Sequence, residues 1–119
     1  MIAGLGFRDG AHLSSLMDAL DRAGAGGVRS LALPVRKAGH PLAAELQRLG
    51  HTLILIDDTA LAATSTPTQS AISRATYGTG SVAEACALAA LPGGRLAGPR
   101  ALSADRLATA ALALTGDKP

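Results

Sequence analysis

Residues 1–35, MIAGLGFRDGAHLSSLMDALDRAGAGGVRSLALPV, decide the class of fold. Residues 1–6 form a short apolar run that reads as a buried strand, beginning almost at the first residue. From Ala11 to about Ala23, Leu13, Leu16, Met17 and Leu20 recur with helical spacing and mark one face of an amphipathic helix. Asp9 or Gly10 can start that helix, and Gly24 to Gly27 stop it. His12, in its first turn, is given no role. Ser30 to Val35 is a second strand, which Pro34 either ends or confines to a sheet edge. Strand, covering helix, strand is the opening unit of a parallel sheet.

The alternation continues outward from this unit. Pro41 to Leu49 is a second helix, stopped by Gly50, with His40 in its cap region. His51 to Ile56 (HTLILI) is a third strand, and its unbroken apolar run predicts a central position buried on both faces. Asp57 and Asp58 end it, ahead of a short helix near Thr59 to Ala63. Helices are expected over 68–76 and 82–91, followed by the break Pro92-Gly93-Gly94. Arg95 to Ala97 is a short fourth strand. Leu107 to Leu114 is the last strand, with a helix as the competing reading because alanine weakens strand propensity. The link from 97 to 107 is short for a helical crossover, so these two strands should be antiparallel neighbours. Thr115 to Pro119 should be a frayed tail. The expected fold is α/β: a single three-layer domain over 1–119. Its mixed, mostly parallel sheet has about five strands, helices cover both faces, and an antiparallel pair lies at the C-terminal end.

Composition narrows the function. Of 119 residues, 48 % are hydrophobic, yet there is one Phe, one Tyr and no Trp. The core must therefore be built from Ala, Leu, Val and Ile, and aromatic platforms for stacking nucleic-acid bases are missing. The net charge is +2 and the arginines are scattered, so no basic stripe exists for a phosphate backbone. A small or medium anionic ligand stays compatible. No apolar run approaches the ~18 residues that span a bilayer. A single cysteine, Cys86, and no evident signal peptide point to the reducing cytoplasm. Cys86 reads as a small core residue.

Residues 64–91, TSTPTQSAISRATYGTGSVAEACALAAL, concentrate the candidate chemistry. Thr66, with Pro67 at the first helical position and Gln69 reaching back, reads as one capping box; Ser81 with Glu84 reads as a second. Between them lies the turn Tyr77-Gly78-Thr79-Gly80. Two helix N-termini so placed can offer N–H donors to a carboxylate or phosphate; the plainer alternative is that they only start two helices. Near the N-terminus, GLGFRDG is not the dinucleotide fingerprint, because the third glycine that motif requires is Asp9 here. Its glycines still allow close backbone approach to a ligand, and Arg8 sits on the resulting loop. Asp57 and Asp58 lack clustered His or Cys partners, so no protein metal site and no bound cofactor are expected.

The motifs GLGFRDG, Arg36-Lys37, STPT at 65–68 and YGTGSVAEACAL at 77–88 together resemble the cobalamin-biosynthesis family of CobE and the C-terminal domain of CbiG, across essentially the whole chain. His40 stands where that family often has an acidic residue, and Arg100 where it usually has lysine. The resemblance implies a role in corrin-ring assembly, with a precorrin or related corrinoid as ligand and other cobalamin-biosynthesis enzymes as possible partners. Any cobalt would arrive in the ring. The ligand-binding candidates are Gly6, Arg8, Lys37, Ser65, Thr66, Thr68, Gly78, Thr79, Gly80, Ser81 and Arg100. The family also implies an alternative, a hydrolase opening the ring-fused lactone of a precorrin-type intermediate. Its catalytic candidates are Ser65 and Ser81 as nucleophiles and Glu84 as base. A nucleotide or other phosphate ligand is the rival binding reading.

Overall fold

A computed structural model describes residues 1–116. The elements in chain order are β1 (Ile2–Phe7), α1 (Leu13–Arg22), β2 (Ser30–Pro34), a 3₁₀ turn (Val35–Lys37), α2 (Pro41–Arg48), β3 (Thr52–Ile56) and α3 (Asp58–Ala63). Then follow α4 (Ala71–Tyr77), α5 (Val82–Ala90), β4 (Arg95–Leu96), β5 (Ala101–Leu102) and β6 (Ala108–Leu114). The last three residues of the expected tail lie outside the described residues.

The strands form one sheet in the order β3-β2-β1-β6-β4, with β5 also pairing β6. β1, β2 and β3 are parallel neighbours. β6 runs antiparallel to β1 along its whole length, from Ile2↔Ala113 to Phe7↔Ala108. This ladder decides the ambiguity at 107–114: the alanines are in a strand. The sheet has six strands rather than about five, because Ala101–Leu102 adds a short one beside β6. β4 and β6 are antiparallel, as the short link requires.

One expectation is corrected. β3 is an edge strand, not a central one. Its apolar run matched a strand buried on both faces, but Thr52 and Leu55 are exposed and only Ile56 is buried. The central place belongs to β1, because the chain returns after α5 to the far side of β1. Pro34 ends β2 and lies inside the sheet.

Alternation along the strands sorts the core into two layers. Ala3, Leu5, Leu31, Leu33, Ala110 and Leu112 face α1 and α2, where Leu16, Leu20, Leu42 and Leu46 pack on them. Ala32 and Ile56 face the other side, against Val82, Ala85 and Cys86 of α5 and Leu61 of α3. α5 lies almost on the backbone of β1. A side chain at Gly4 would put its Cβ 2.6 Å from Ala87 N, on top of the Ala83 carbonyl. The alanine-rich composition of α5 and β6 is what allows this approach.

Candidate functional site

The parallel strands β1 and β2 end at Phe7 and Pro34. Beside them, β6 begins at Ala108 and runs the other way. The chain leaves β1 toward β2 on one side and comes back as β6 on the other. Such a change of direction opens a crevice at the strands' carboxyl ends, the usual ligand position in open α/β sheets. Here the crevice is a cavity of about 400 Å³. Gly6, Val82 and Thr109 border it, and Phe7, Ile72, Leu102 and Leu107 supply apolar surface. Four cations, Arg8, Lys37, Arg100 and Arg106, share it with one carboxylate, Asp9.

Lys37 is nearly buried, and its Nζ lies 2.7 Å from Asp9 Oδ1. The same ammonium sits 4.9 Å from the Phe7 ring centroid, in cation–π range. Its partner is the opposite in character: the Asp9 side chain is 92 % exposed. Hydrogen bonding and charge from Lys37 hold the Asp9 carboxyl below its ordinary range. His40 supports the corner. Its Nδ1 accepts from Leu42 N at 3.1 Å, which leaves Nε2 to donate to the Asp9 carbonyl at 2.9 Å. The Phe7 and His40 rings meet edge to face at 5.1 Å.

Arg36 points elsewhere. It makes a forked contact to Asp58 at 2.9–3.1 Å, donates to the Thr76 carbonyl at 2.9 Å, and lies over the Tyr77 ring. It thereby fastens α3 and α4 to the end of β2. Burial pushes the Tyr77 phenol above its ordinary range, against the opposing charge of Arg36. Asp57 is engaged separately: its Oδ1 accepts from Ala60 N and caps α3.

The stretch 64–91 is organised differently from either capping box. Thr66 starts no helix. Its hydroxyl donates to the Thr68 carbonyl at 2.9 Å, and Gln69 Nε2 donates to the Thr66 carbonyl at 2.8 Å. The helix expected over 68–76 begins at Ala71, with Ser70 as its N-cap. Proline at a helical first position and proline in an extended loop look alike in sequence, and here the loop prevails. Ser81 does cap α5, accepting from Glu84 N. Glu84, however, does not return to the Ser81 backbone. Its fully buried carboxylate accepts from Thr68 N (2.9 Å), Thr68 Oγ1 (2.8 Å) and Arg100 N (2.7 Å). One side chain on α5 thus clamps the 64–70 loop and the 98–100 turn. Gly80 completes the clamp: a Cβ there would lie 2.5 Å from the Thr68 carbonyl oxygen.

Of the anticipated ligand residues, Gly6, Arg8, Lys37 and Arg100 converge on the cavity. Thr68, Gly80, Ser81 and the buried Thr79 pack around the clamp behind its α4 wall. Ser65 and Gly78 are exposed, outside the cavity lining, and Thr66 is held within its own loop. Ser81 is fully buried. Ile72, Ser73, Thr76 and Tyr77 of α4 and Arg106 also line the cavity and were not anticipated. Arg106 takes a left-handed backbone (φ 61°) in the turn before β6, a placement with no sequence signal. Tyr77 had one, as the lone tyrosine beside a glycine turn. Among the described residues no cluster of potential metal ligands forms, and no helix is long and apolar enough to cross a membrane.

The family described as Cobalamin synthesis G C-terminus matches residues 1–113. The chain belongs to this family. That membership places it among the proteins of cobalamin biosynthesis. Two solved structures of the family's kind superpose closely. One is CobE, a protein from the cobalamin (vitamin B12) biosynthetic pathway. It is 30 % identical, with a TM-score of 0.81 over 94 % of this chain and 90 % of that one. The other is the cobalamin biosynthesis protein chiG from Agrobacterium tumefaciens str. C58. It is 31 % identical, with a TM-score of 0.70 over 98 % of both chains. No curated protein sequence matches the chain.

Proposed function

We propose that this chain binds a precorrin or related corrinoid intermediate in the cavity at the β1–β6 crevice, and serves corrin-ring assembly as a carrier or auxiliary factor in the cytoplasm. The observation that carries the reading is that four cations, Arg8, Lys37, Arg100 and Arg106, against the single carboxylate of Asp9, line a cleft that also presents Phe7, Ile72, Leu102 and Leu107. A tetrapyrrole intermediate is the matching ligand: an apolar ring edged with acetate and propionate carboxylates. In this reading the ring edge rests on Phe7, Ile72, Leu102 and Leu107, and its carboxylates meet the three arginines. Gly6 lets Val82 and Thr109 close over β1 at the cavity's border. Thr68, Gly80 and Ser81 act by holding the loops that carry the wall.

The lactone-hydrolase alternative needs a nucleophile, a base and oxyanion donors in reach of one reacting atom. The Ser81 hydroxyl is enclosed and caps a helix, and the Glu84 carboxylate is already shared by three donors. A binding role uses the groups that do face the cavity.

The test is a spectroscopic titration with precorrin, cobyrinic and linear tetrapyrrole compounds, each mixture then weighed by mass spectrometry. Saturable binding with unchanged mass is expected. Arg8→Ala and Arg100→Ala should each weaken it by about three- to tenfold, the range for losing one hydrogen-bonded contact at a solvent-accessible cation. A changed ligand mass would transfer the proposal to the hydrolase. No binding, or binding untouched by both substitutions, would overturn the site.

A further inference from the structure

The outer edge of the sheet at β3 is open and unusual. Its sequence TLILI has no charge and no proline, the devices with which soluble proteins normally blunt an edge. The Thr52 N–H donates to the Arg29 carbonyl at 3.1 Å, which fixes the phase of the β2–β3 ladder. In a parallel ladder both main-chain groups of alternate residues aim at the same neighbour. Thr52, Ile54 and Ile56 therefore face β2, and Leu53 and Leu55 direct their N–H and C=O groups outward. Leu53 and Leu55 pair with Leu31 and Leu33, so their side chains lie on the face covered by α2. Leu55 is nonetheless 46 % exposed, and Leu49, just before the strand, is 58 % exposed.

We propose that β3 is the interface of a homodimer, two copies pairing β3 with β3 antiparallel about a twofold axis through Ile54. Two features argue for a second copy as the occupant. The first is self-complementarity. The outward-facing residues Leu53 and Leu55 are placed symmetrically about Ile54. Leu53 of one copy opposite Leu55 of the other makes a hydrogen-bonded pair that exchanges both bonds, and the twofold repeats it. The same register sets Leu55 against Leu53 and Ile54 against Ile54, covering the exposed apolar surface. The second is charge. Arg29, Arg48 and His51 stand at the start of the strand, and Asp57 and Asp58 at its end. Antiparallel pairing brings His51 opposite Asp57 and the basic end of each copy to the acidic end of the other. Asp58 is already shared with Arg36, so Asp57 carries most of this attraction. Parallel pairing would set like beside like. The ligand cavity lies across β1 and β6, so both cavities stay open.

Light scattering coupled to size exclusion is the first measurement, on the chain as it stands. The expected mass is twice 11.8 kDa. Leu55→Pro removes one outward N–H without removing a bond to β2, as proline is tolerated on an edge. Leu55→Lys puts a charge in the apolar seam. Each should raise the dimer dissociation constant at least ~10-fold while the circular dichroism stays native. Hydrogen exchange on the unaltered chain gives an independent readout: the Leu53 and Leu55 amides should slow as concentration rises. A monomer at every concentration would overturn the proposal. So would a dimer that survives in both folded variants, or one whose Leu53 and Leu55 amides exchange freely. If neither variant folds, the exchange result alone decides.

Discussion

Replacing Glu84 by glutamine tests the clamp that shapes the cavity wall. The change keeps the side chain's size and leaves it buried beside three donors: Thr68 N, Thr68 Oγ1 and Arg100 N. A carboxylate accepts from all three. An amide cannot, because its NH₂ must occupy one of the two oxygen positions. At the Oε1 position the NH₂ opposes the Thr68 N–H. At the Oε2 position it opposes the Arg100 N–H, while the Thr68 hydroxyl can turn to accept. Either way one buried backbone donor is left unsatisfied, at a cost of about 1–3 kcal/mol, and the remaining bonds lose their charged acceptor. The expected destabilisation is about 2–4 kcal/mol. For a chain of 119 residues, about 3–5 °C of melting temperature is lost per kcal/mol, so a fall of roughly 6–20 °C follows. With no tryptophan present, urea and thermal unfolding are best followed by far-ultraviolet circular dichroism. Glu84→Ala, which strands all three donors, should fall further. A glutamine variant within about 0.5 kcal/mol of the parent would refute the clamp. A variant as stable as the parent that had lost only turnover would instead make Glu84 a chemical group.

Three further outcomes are expected. Gly4→Ala should destabilise by about 3 kcal/mol or prevent folding, because the added carbon meets the backbone of α5 rather than a movable side chain; a soluble variant with unchanged urea midpoint would contradict the packing of α5 on β1. Asp105 accepts from Ser103 Oγ and Ser15 Oγ at 2.6 Å and from Leu107 N at 3.1 Å, which hold its carboxyl down at about 2, below the ordinary 3.8. A depressed carboxyl stabilises the fold above its unfolded value, so this contribution should fade as pH falls from about 4 to about 2, and Asp105→Asn should flatten that part of a melting-temperature profile. Cys86 is fully buried and burial pushes its thiol up, so a thiol reagent should label it only after denaturant is added; rapid labelling of the folded chain would count against the core.

Element types were legible in the sequence because each rests on local periodicity and punctuation. The stripe Leu13, Leu16, Leu20 and the stops at Gly24 and Gly50 needed no tertiary information. Sheet order did need it. A run such as HTLILI reports only that its side chains avoid water, and Leu55 shows that an edge can be just as apolar. The alanines of 107–114 left helix and strand open until pairing with β1 decided. In the site, charged residues following strands (Arg8, Lys37) were legible, since the carboxyl ends of parallel strands come together by topology. The role of Glu84 was not. Its spacing from Ser81 fits a capping box equally well, and only the fold brings Thr68 and Arg100 to the same carboxylate.

That substitution of partners bears on how the cavity works. Thr68, Ser81 and Glu84, clustered near a cleft, invite a catalytic reading, yet their hydrogen bonds run to one another and to backbone. What they determine is where α4 and Arg100 stand. α5 sits against β1 because Gly4 has no side chain, and this sets Glu84 at the depth where it can hold both loops. Of the cations that face the cavity, Arg100 is held through its backbone N–H on Glu84, and among the described residues Arg8, Arg100 and Arg106 form no ion pair that a ligand would have to break. Lys37 is the exception: its carboxylate partner is on the rim and almost fully solvated. An incoming ligand carboxylate could displace Asp9 at modest cost, because Asp9 would return to the water that already surrounds it while the ligand took over the charge of the nearly buried Lys37. Asp9→Asn should therefore tighten binding of a polycarboxylate tetrapyrrole, most at low salt. Weaker binding by that variant would show that Asp9, not the ligand, is the carboxylate Lys37 is built to hold.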